Sequence, residues 1–180
     1  MQVALARDFP IIERPTFESI YRDLFEHVWF TLRRLGVQER DLDDATHDVF
    51  VVVNRRLNDF DPSRPVRPWV TGIAYRVASD ERRRARHRRE VIGTVPDSLD
   101  QAGPDRALEA KQAHNLVLTA LEELPEQQRA VFVMHDLQGM TMPEIMDAVE
   151  APLNTLYSRL RLARSKFTLA ARRLQKRYNR

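Results

Sequence analysis

With 180 residues the chain is long enough for one domain or two small ones, and its 29 Lys and Arg against 26 Asp and Glu leave a net charge of only +3. There is no cysteine, which excludes disulfides, thiolate metal sites and cysteine nucleophiles. No apolar run reaches the length of a membrane span and the N-terminus lacks a secretory pattern, so a soluble, cytoplasmic protein without membrane insertion is expected.

The small net charge hides a pattern. In RRRARHRR (82–89) six of eight residues are arginine, and from Arg159 onward there are nine basic residues and no acidic one. Between them, 90–109 is acidic on balance. Two basic patches separated by an acidic connector suggest two contacts with a polyanion, although each patch alone reads equally as a solvated helix end.

Only five glycines and no alternating apolar–polar run argue against a β architecture, so an all-α chain is expected. Residues 1–15 read as an N-terminal arm, interrupted by Pro10 and Pro15. The first helix spans about 16–35, with Gly36 as its stop and Phe17, Tyr21, Leu24, Val28, Leu32 and Leu35 as its core stripe. Phe25 and Trp29 widen that stripe, as core or as a partner surface. A second helix opens at Asp41, Asp43 and Asp44, where carboxylates suit the positive helix end. The run VFVVV (49–53) fits a buried strand on propensity, but the acidic start and the continuation NRRL favour one long helix.

A proline-rich loop (61–68) precedes a third helix carrying Trp69, Ile73 and Val77 on one line and ending in the arginine block. Three helices with short connections close a small domain over 16–89. Residues 90–104, rich in Gly, Pro, Ser and Asp, read as a flexible linker that permits both a compact and an extended arrangement. The C-terminal domain, 105–180, then begins with a helix over 105–124, with Ala113, Leu116, Ala120 and Leu124 inward, and another over 126–137.

Its last part is TMPEIMDAVEAPLNTLYSRLRLAR (141–164). Thr141 and Glu144 have capping-box spacing, and Pro143 and Pro152 suit helix starts. Leu156, Leu160, Ala163 and Phe167 form a buried stripe. The opposite face carries Asn154, Thr155, Tyr157, Ser158, Arg159 and Arg161, side chains able to pair with base edges and phosphates. This reads as a helix-turn-helix whose second helix enters the major groove, with Arg159, Arg164 and Lys166 nearer phosphates. An amphipathic hairpin with a solvated polar face fits the same pattern.

No constellation for catalysis, metal or cofactor binding stands out: the five histidines are scattered, and there is no phosphate-cradling glycine loop or nucleophile elbow. The carboxylates of 41–48 lack a calcium-loop pattern.

Three stretches in order, DLDDATHDVF (41–50), RPWVTGIAYRVASDERRR (67–84) and LPEQQRAVFVMHDLQGMTMPEIMDAVEAPLNTLYSRLRLAR (124–164), resemble a bacterial RNA polymerase sigma factor of the extracytoplasmic-function (ECF) type. The resemblance covers about 16–175. It implies two domains, the first binding core polymerase and the proximal promoter element, the second binding the distal element. It further implies that Asp43, Asp44, His47 and Asp48 dock on the polymerase's largest subunit. Arg76, Arg82, Arg83, Arg84 and Arg86 would then serve the proximal element, attracting phosphates beside a flipped base. Trp69 tempts assignment to base stacking, but its place on the apolar stripe favours core packing. Promoter DNA, core polymerase and an anti-sigma factor are the implied partners.

Four positions depart from the family pattern: Glu150 where the turn usually holds glycine, Met146 for a small residue, His47 for glutamine and Arg76 for asparagine. A stand-alone helix-turn-helix regulator is the alternative. It would need a dimer interface or ligand pocket within 16–90, where the residues instead offer an acidic helix face and a basic helix.

Overall fold

The computed structural model describes residues 14–92 and 106–178, and no strand occurs among them. The expected arm and linker lie almost wholly outside the described residues. Seven α-helices follow in order: α1 (Phe17–Arg34), α2 (Leu42–Arg56), α3 (Val66–Ile92), α4 (Arg106–Glu122), α5 (Glu126–Phe132), α6 (Met142–Val149) and α7 (Leu153–Tyr178).

The boundaries of α1 follow from local chemistry. Thr16 Oγ1 accepts the Ser19 amide at 3.2 Å, satisfying one orphan donor of the first turn. At the other end Gly36 adopts φ +92°, its amide donating to Arg33 O at 3.0 Å while Val37 N donates to Leu32 O at 3.1 Å. The positive φ favours glycine here, and the Arg129 guanidinium lies in the space a β-carbon would fill.

Along α1 the buried positions are Ile20, Val28, Thr31 and Leu32, with Leu35 just after the end. Tyr21, expected in the core, is 45% exposed, and Phe25 is 37% exposed. Both lie against Phe50 of α2, with ring centroids 4.7 and 6.1 Å away, so α2 covers only one side of this aromatic ledge. Trp29 is half-buried and donates from Nε1 to Asp43 at 3.3 Å.

The valine run of α2 is helical and buries Val49, Phe50 and Val53. Helix α3 differs from expectation at both ends. It begins at Val66, with Pro68 in the first turn where a missing amide costs nothing, and it continues through Ile92, past the expected start of the linker. Val70, Ile73, Ala74 and Ala78 face the core, and Trp69 packs on Phe60 with centroids 4.8 Å apart. Trp69 therefore belongs to the partly buried shell of the core.

In the C-terminal half, α4 packs against both α1 and α7; Ala120 and, just past the helix, Leu124 are buried as expected, and Leu118 and Leu121 join them. Ala113, expected inward, is exposed. The segment expected as one helix to residue 137 is α5 followed by a wider π-turn, Val133–Leu137. Helix α6 carries the capping box: the Thr141 amide and hydroxyl both donate to Glu144 Oε2, at 2.7 and 2.8 Å. Glu150 ends α6 in the left-handed conformation, φ 54° and ψ 46°, with its amide on Met146 O at 2.9 Å. Leu156, Leu160 and Ala163 of α7 are buried as expected.

The two halves do not stand apart. One cluster of buried side chains runs from Ile20 of α1 through Ile73 of α3 to Ile145 of α6 and Ala163 of α7, so the compact arrangement is the one adopted. Two polar links anchor α1, one to α3 within the N-terminal half and one across to the C-terminal half. His27 shares a 2.9 Å hydrogen bond between Nε2 and Thr71 Oγ1, and its Nδ1 faces Arg67 Nη2 at 3.1 Å. Gln138 of the C-terminal half donates to Thr31 Oγ1.

Burial, then Arg67 and Arg34, lower the pKa of His27 to about 4. The folded value lies below the unfolded one (about 6.5), so the contribution to stability is complete above pH 6.5 and declines as pH falls toward 4. A His27→Gln variant is expected to lose part of this acid sensitivity, measured as the slope of urea-midpoint against pH across that window. At the α6–α7 turn, Glu150→Gly is expected to be tolerated, whereas Glu150→Val should destabilise by about 1–2 kcal/mol, since a β-branched side chain is strained beyond glutamate in the left-handed conformation. Denaturant titration of the two variants checks it.

Candidate nucleic-acid interface

Helix α7 is held from behind and free in front. Its stripe packs on α5 and α6, and Phe167 meets Phe132 with centroids 4.7 Å apart. On the other side Asn154, Tyr157, Ser158, Arg161 and Lys166 are exposed, Tyr157 by 54%. None of these five side chains has a hydrogen bond or ion pair among the described residues. Thr155 is half-buried. The face is thus a row of unspent donors and acceptors on the N-terminal turns of a rigidly backed helix, the arrangement that a major groove accepts.

The remaining expected contacts of α7 are tethered. Arg159 donates to Gln127 Oε1 at 2.6 Å, and Arg164 makes a two-pronged pair with Asp136 at 2.8 and 2.7 Å. The Arg164 guanidinium, together with the His135 ring, holds the Asp136 carboxyl below the usual carboxylate range against the opposing effect of partial burial. Arg164 therefore fixes α7 to the π-turn in this arrangement. Beyond it, α7 also exposes Arg172, Lys176 and Arg177, which extend the basic face.

The arginines of α3 are distributed around the helix and paired. Arg76 reaches Glu150 Oε1 at 3.0 Å. Arg82, whose side chain is 13% exposed, donates to Leu35 O and Ser79 Oγ and pairs with Glu126 at 2.7 Å. Arg83 pairs with Asp80 at 2.9 Å, Arg84 with Glu81 at 3.2 Å and Arg86 with Glu126 at 3.5 Å. Of the five, Arg82 is turned into the molecule; the other four remain exposed. Arg64, in the loop before α3, was not singled out by the sequence; it pairs with Asp147 of α6 at 2.6 Å. Its only local signal is a cation between Pro62 and Pro65.

On α2, Asp43, Asp44, His47 and Asp48 share one exposed face. Asp43 accepts from Trp29 and Asp48 lies 4.0 Å from Arg84, whereas Asp44 and His47 have no side-chain partner among the described residues. This acidic face adjoins the Tyr21–Phe25 aromatic ledge through Trp29 and Phe50. Charge beside exposed aromatic surface suits a protein partner more than a nucleic acid. No helix of the described residues is long and apolar enough to cross a membrane.

Comparison with known proteins places both halves. The family described as Sigma-70 region 2 matches residues 20–88, and Sigma-70, region 4 matches 114–167. The chain is 30% identical over 141 residues to the RNA polymerase sigma factor NccH of Alcaligenes xylosoxydans xylosoxydans, covering 76% of each. It is 31% identical over 154 residues to the ECF RNA polymerase sigma factor RpoE of Cereibacter sphaeroides, covering 81% of this chain and 83% of that one. Among solved structures, CnrH in complex with the cytosolic domain of CnrY matches with TM-score 0.61 and 25% identity over 85% of both chains. The sigma factor RpoE in complex with the anti-sigma factor NepR from Bartonella quintana shares the fold, with TM-score 0.72 and 16% identity, over 87% of this chain and 96% of that chain.

Proposed function

The chain belongs to the sigma-70 family of RNA polymerase factors, in its ECF branch, and we propose how its residues divide the work of directing promoter recognition. The N-terminal half, 16–89, docks on core polymerase and serves the proximal promoter element. The C-terminal half, 105–180, reads the distal element, and 90–104 connects them. The observation that carries this reading is the free polar face of α7 in the same molecule as the exposed acidic face of α2.

Asp43, Asp44, His47 and Asp48 form the polymerase contact, continued by the aromatic ledge. Asn154, Tyr157, Ser158 and Arg161 reach base edges: an amide or guanidinium offers the paired donors or acceptors that distinguish one base pair from another in the major groove. Lys166, with the basic end of α7, supplies phosphate attraction through counterion release. Arg76, Arg83, Arg84 and Arg86 meet the proximal element, joined by Arg82 once its Glu126 partner has moved. The activity is exercised in the cytoplasm, where polymerase and DNA are, and an anti-sigma factor covering these faces holds it in check. Catalysis stays with the polymerase.

Gel filtration with bacterial core polymerase, coupled to run-off transcription from a randomised promoter pool, tests the reading. Co-elution and new sequence-selective transcripts are expected; DNA binding without core association would mark a stand-alone regulator. An Asp43→Lys/Asp44→Lys variant should lose co-elution while the isolated chain keeps its affinity for upstream duplex. Asn154→Ala should cost about 1–3 kcal/mol of discrimination at one distal position, and Lys166→Ala should weaken all sequences alike and lower the salt slope by about 1. Anisotropy titrations on matched and mismatched duplexes separate the two effects.

A further inference from the structure

The exposed face of α7 is not wholly polar. Leu153, the first residue of the helix, is 39% exposed, and Tyr157, one turn on, is 54% exposed. Four-residue spacing sets these two in one line, with Asn154 and Ser158 in a second line beside it. Leu156 and Leu160, both buried, mark the side turned to the core. The first turn is closed by Leu156 N donating to Pro152 O at 3.1 Å, and Arg159 and Arg164 tie the helix to Gln127 and Asp136. Rotation of α7 about its own axis is thereby fixed, and the apolar line is held beside the polar one.

Exposed leucines are ordinary on protein surfaces, and Leu169, 65% exposed on the same helix, is one of them. Position sets Leu153 apart. A helix that enters a major groove presents its first turns to the bases. Leu169 lies sixteen residues further on, about 24 Å along the axis, beyond the groove's width of about 12 Å.

The chemistry of base-pair edges then says what Leu153 accepts. The one apolar group that distinguishes an edge in the major groove is the C5-methyl of thymine. A leucine set against a donor or acceptor strips it of water and offers nothing in return. Set against the methyl, it removes apolar surface from water on both sides. The Tyr157 ring shares this preference, while its hydroxyl keeps a polar contact.

Resting on the initiation-factor reading above, we propose that Leu153 and Tyr157 determine specificity by reading thymine methyls in the distal element. The polar line takes the hydrogen-bonding edges, and the apolar line beside it selects thymine at one or two adjoining positions. A cytosine methylated at C5, which carries the same group, satisfies the same contact.

Uracil in place of thymine removes the methyl and leaves Watson–Crick pairing intact. Duplexes of the promoter selected by the reconstituted holoenzyme, each with a single thymine of the distal element replaced by uracil, are competed for that holoenzyme. Binding should weaken about fourfold at one or two positions and stay unchanged at the rest, the ratio that burial of one methyl-sized group corresponds to. Leu153→Ala should erase the difference between thymine and uracil at one of these positions, and Leu169→Ala at none. Leu153→Gln should exchange that thymine preference for adenine, whose edge pairs with an amide, an outcome that a misfolded variant could not produce. Absence of any methyl-sensitive thymine, an undiminished methyl effect in Leu153→Ala, or retention of the thymine preference in Leu153→Gln would overturn the proposal. Selective transcription without methyl sensitivity sinks this proposal alone; no selective transcription by the unsubstituted holoenzyme sinks the initiation-factor reading with it.

Discussion

Everything in the arrangement depends on how closely α3 is approached. Its inner faces carry Val70, Gly72, Ala74 and Ala78, small or compact residues that let α1 and α2 close from one side and α6 from another. Backbones that meet over side chains this small bury apolar surface on both partners, which is why one core cluster spans the two halves. Arg64, Arg76 and Arg86 run outward along the rim, Arg82 turns inward, and the four are met by Glu126, Asp147 and Glu150. These pairs form a charged seam over the packing beneath.

The two basic regions that look alike in the sequence are physically different. On α7 the exposed cations and amides point away from the supporting helices, and Asn154, Tyr157, Ser158 and Arg161 are left with water as their partner. On α3 the arginines are nearly all engaged, some by neighbours one turn away such as Asp80 and Glu81, others across the seam. Attraction to DNA from the first region is available at once. From the second, phosphate has to compete with carboxylates already paired to the arginines.

Local chemistry was legible in the sequence. The Gly36 stop, the Thr141–Glu144 box and the 156–160–163 stripe each involve residues within one or two turns, and each occurs as expected. Glu150, in a glycine's place, holds the left-handed conformation, with its carboxylate on Arg76. What was not legible depends on partners far along the chain. Tyr21 fits a core stripe by spacing, but only α2 comes near it, and Ala113 falls outside the faces that α1 and α7 cover. Arg64 and Asp147 are 83 residues apart, and no periodicity announces their meeting. The widening of α5 into a π-turn likewise follows from tertiary packing of Val133 and Met134, both fully buried.

The central claim is that one chain holds core polymerase while its two halves touch two separate promoter segments. The most direct measurement places a photo-crosslinking amino acid at Tyr157 in one preparation and at Arg83 in another, and maps the adducts on a promoter selected by the reconstituted holoenzyme. The account predicts that Tyr157 marks an upstream duplex element, and that Arg83 marks a distinct element nearer the start of transcription only when core polymerase is present at the promoter. Adducts from both positions within one contiguous site, or the Arg83 adduct without polymerase, would contradict it.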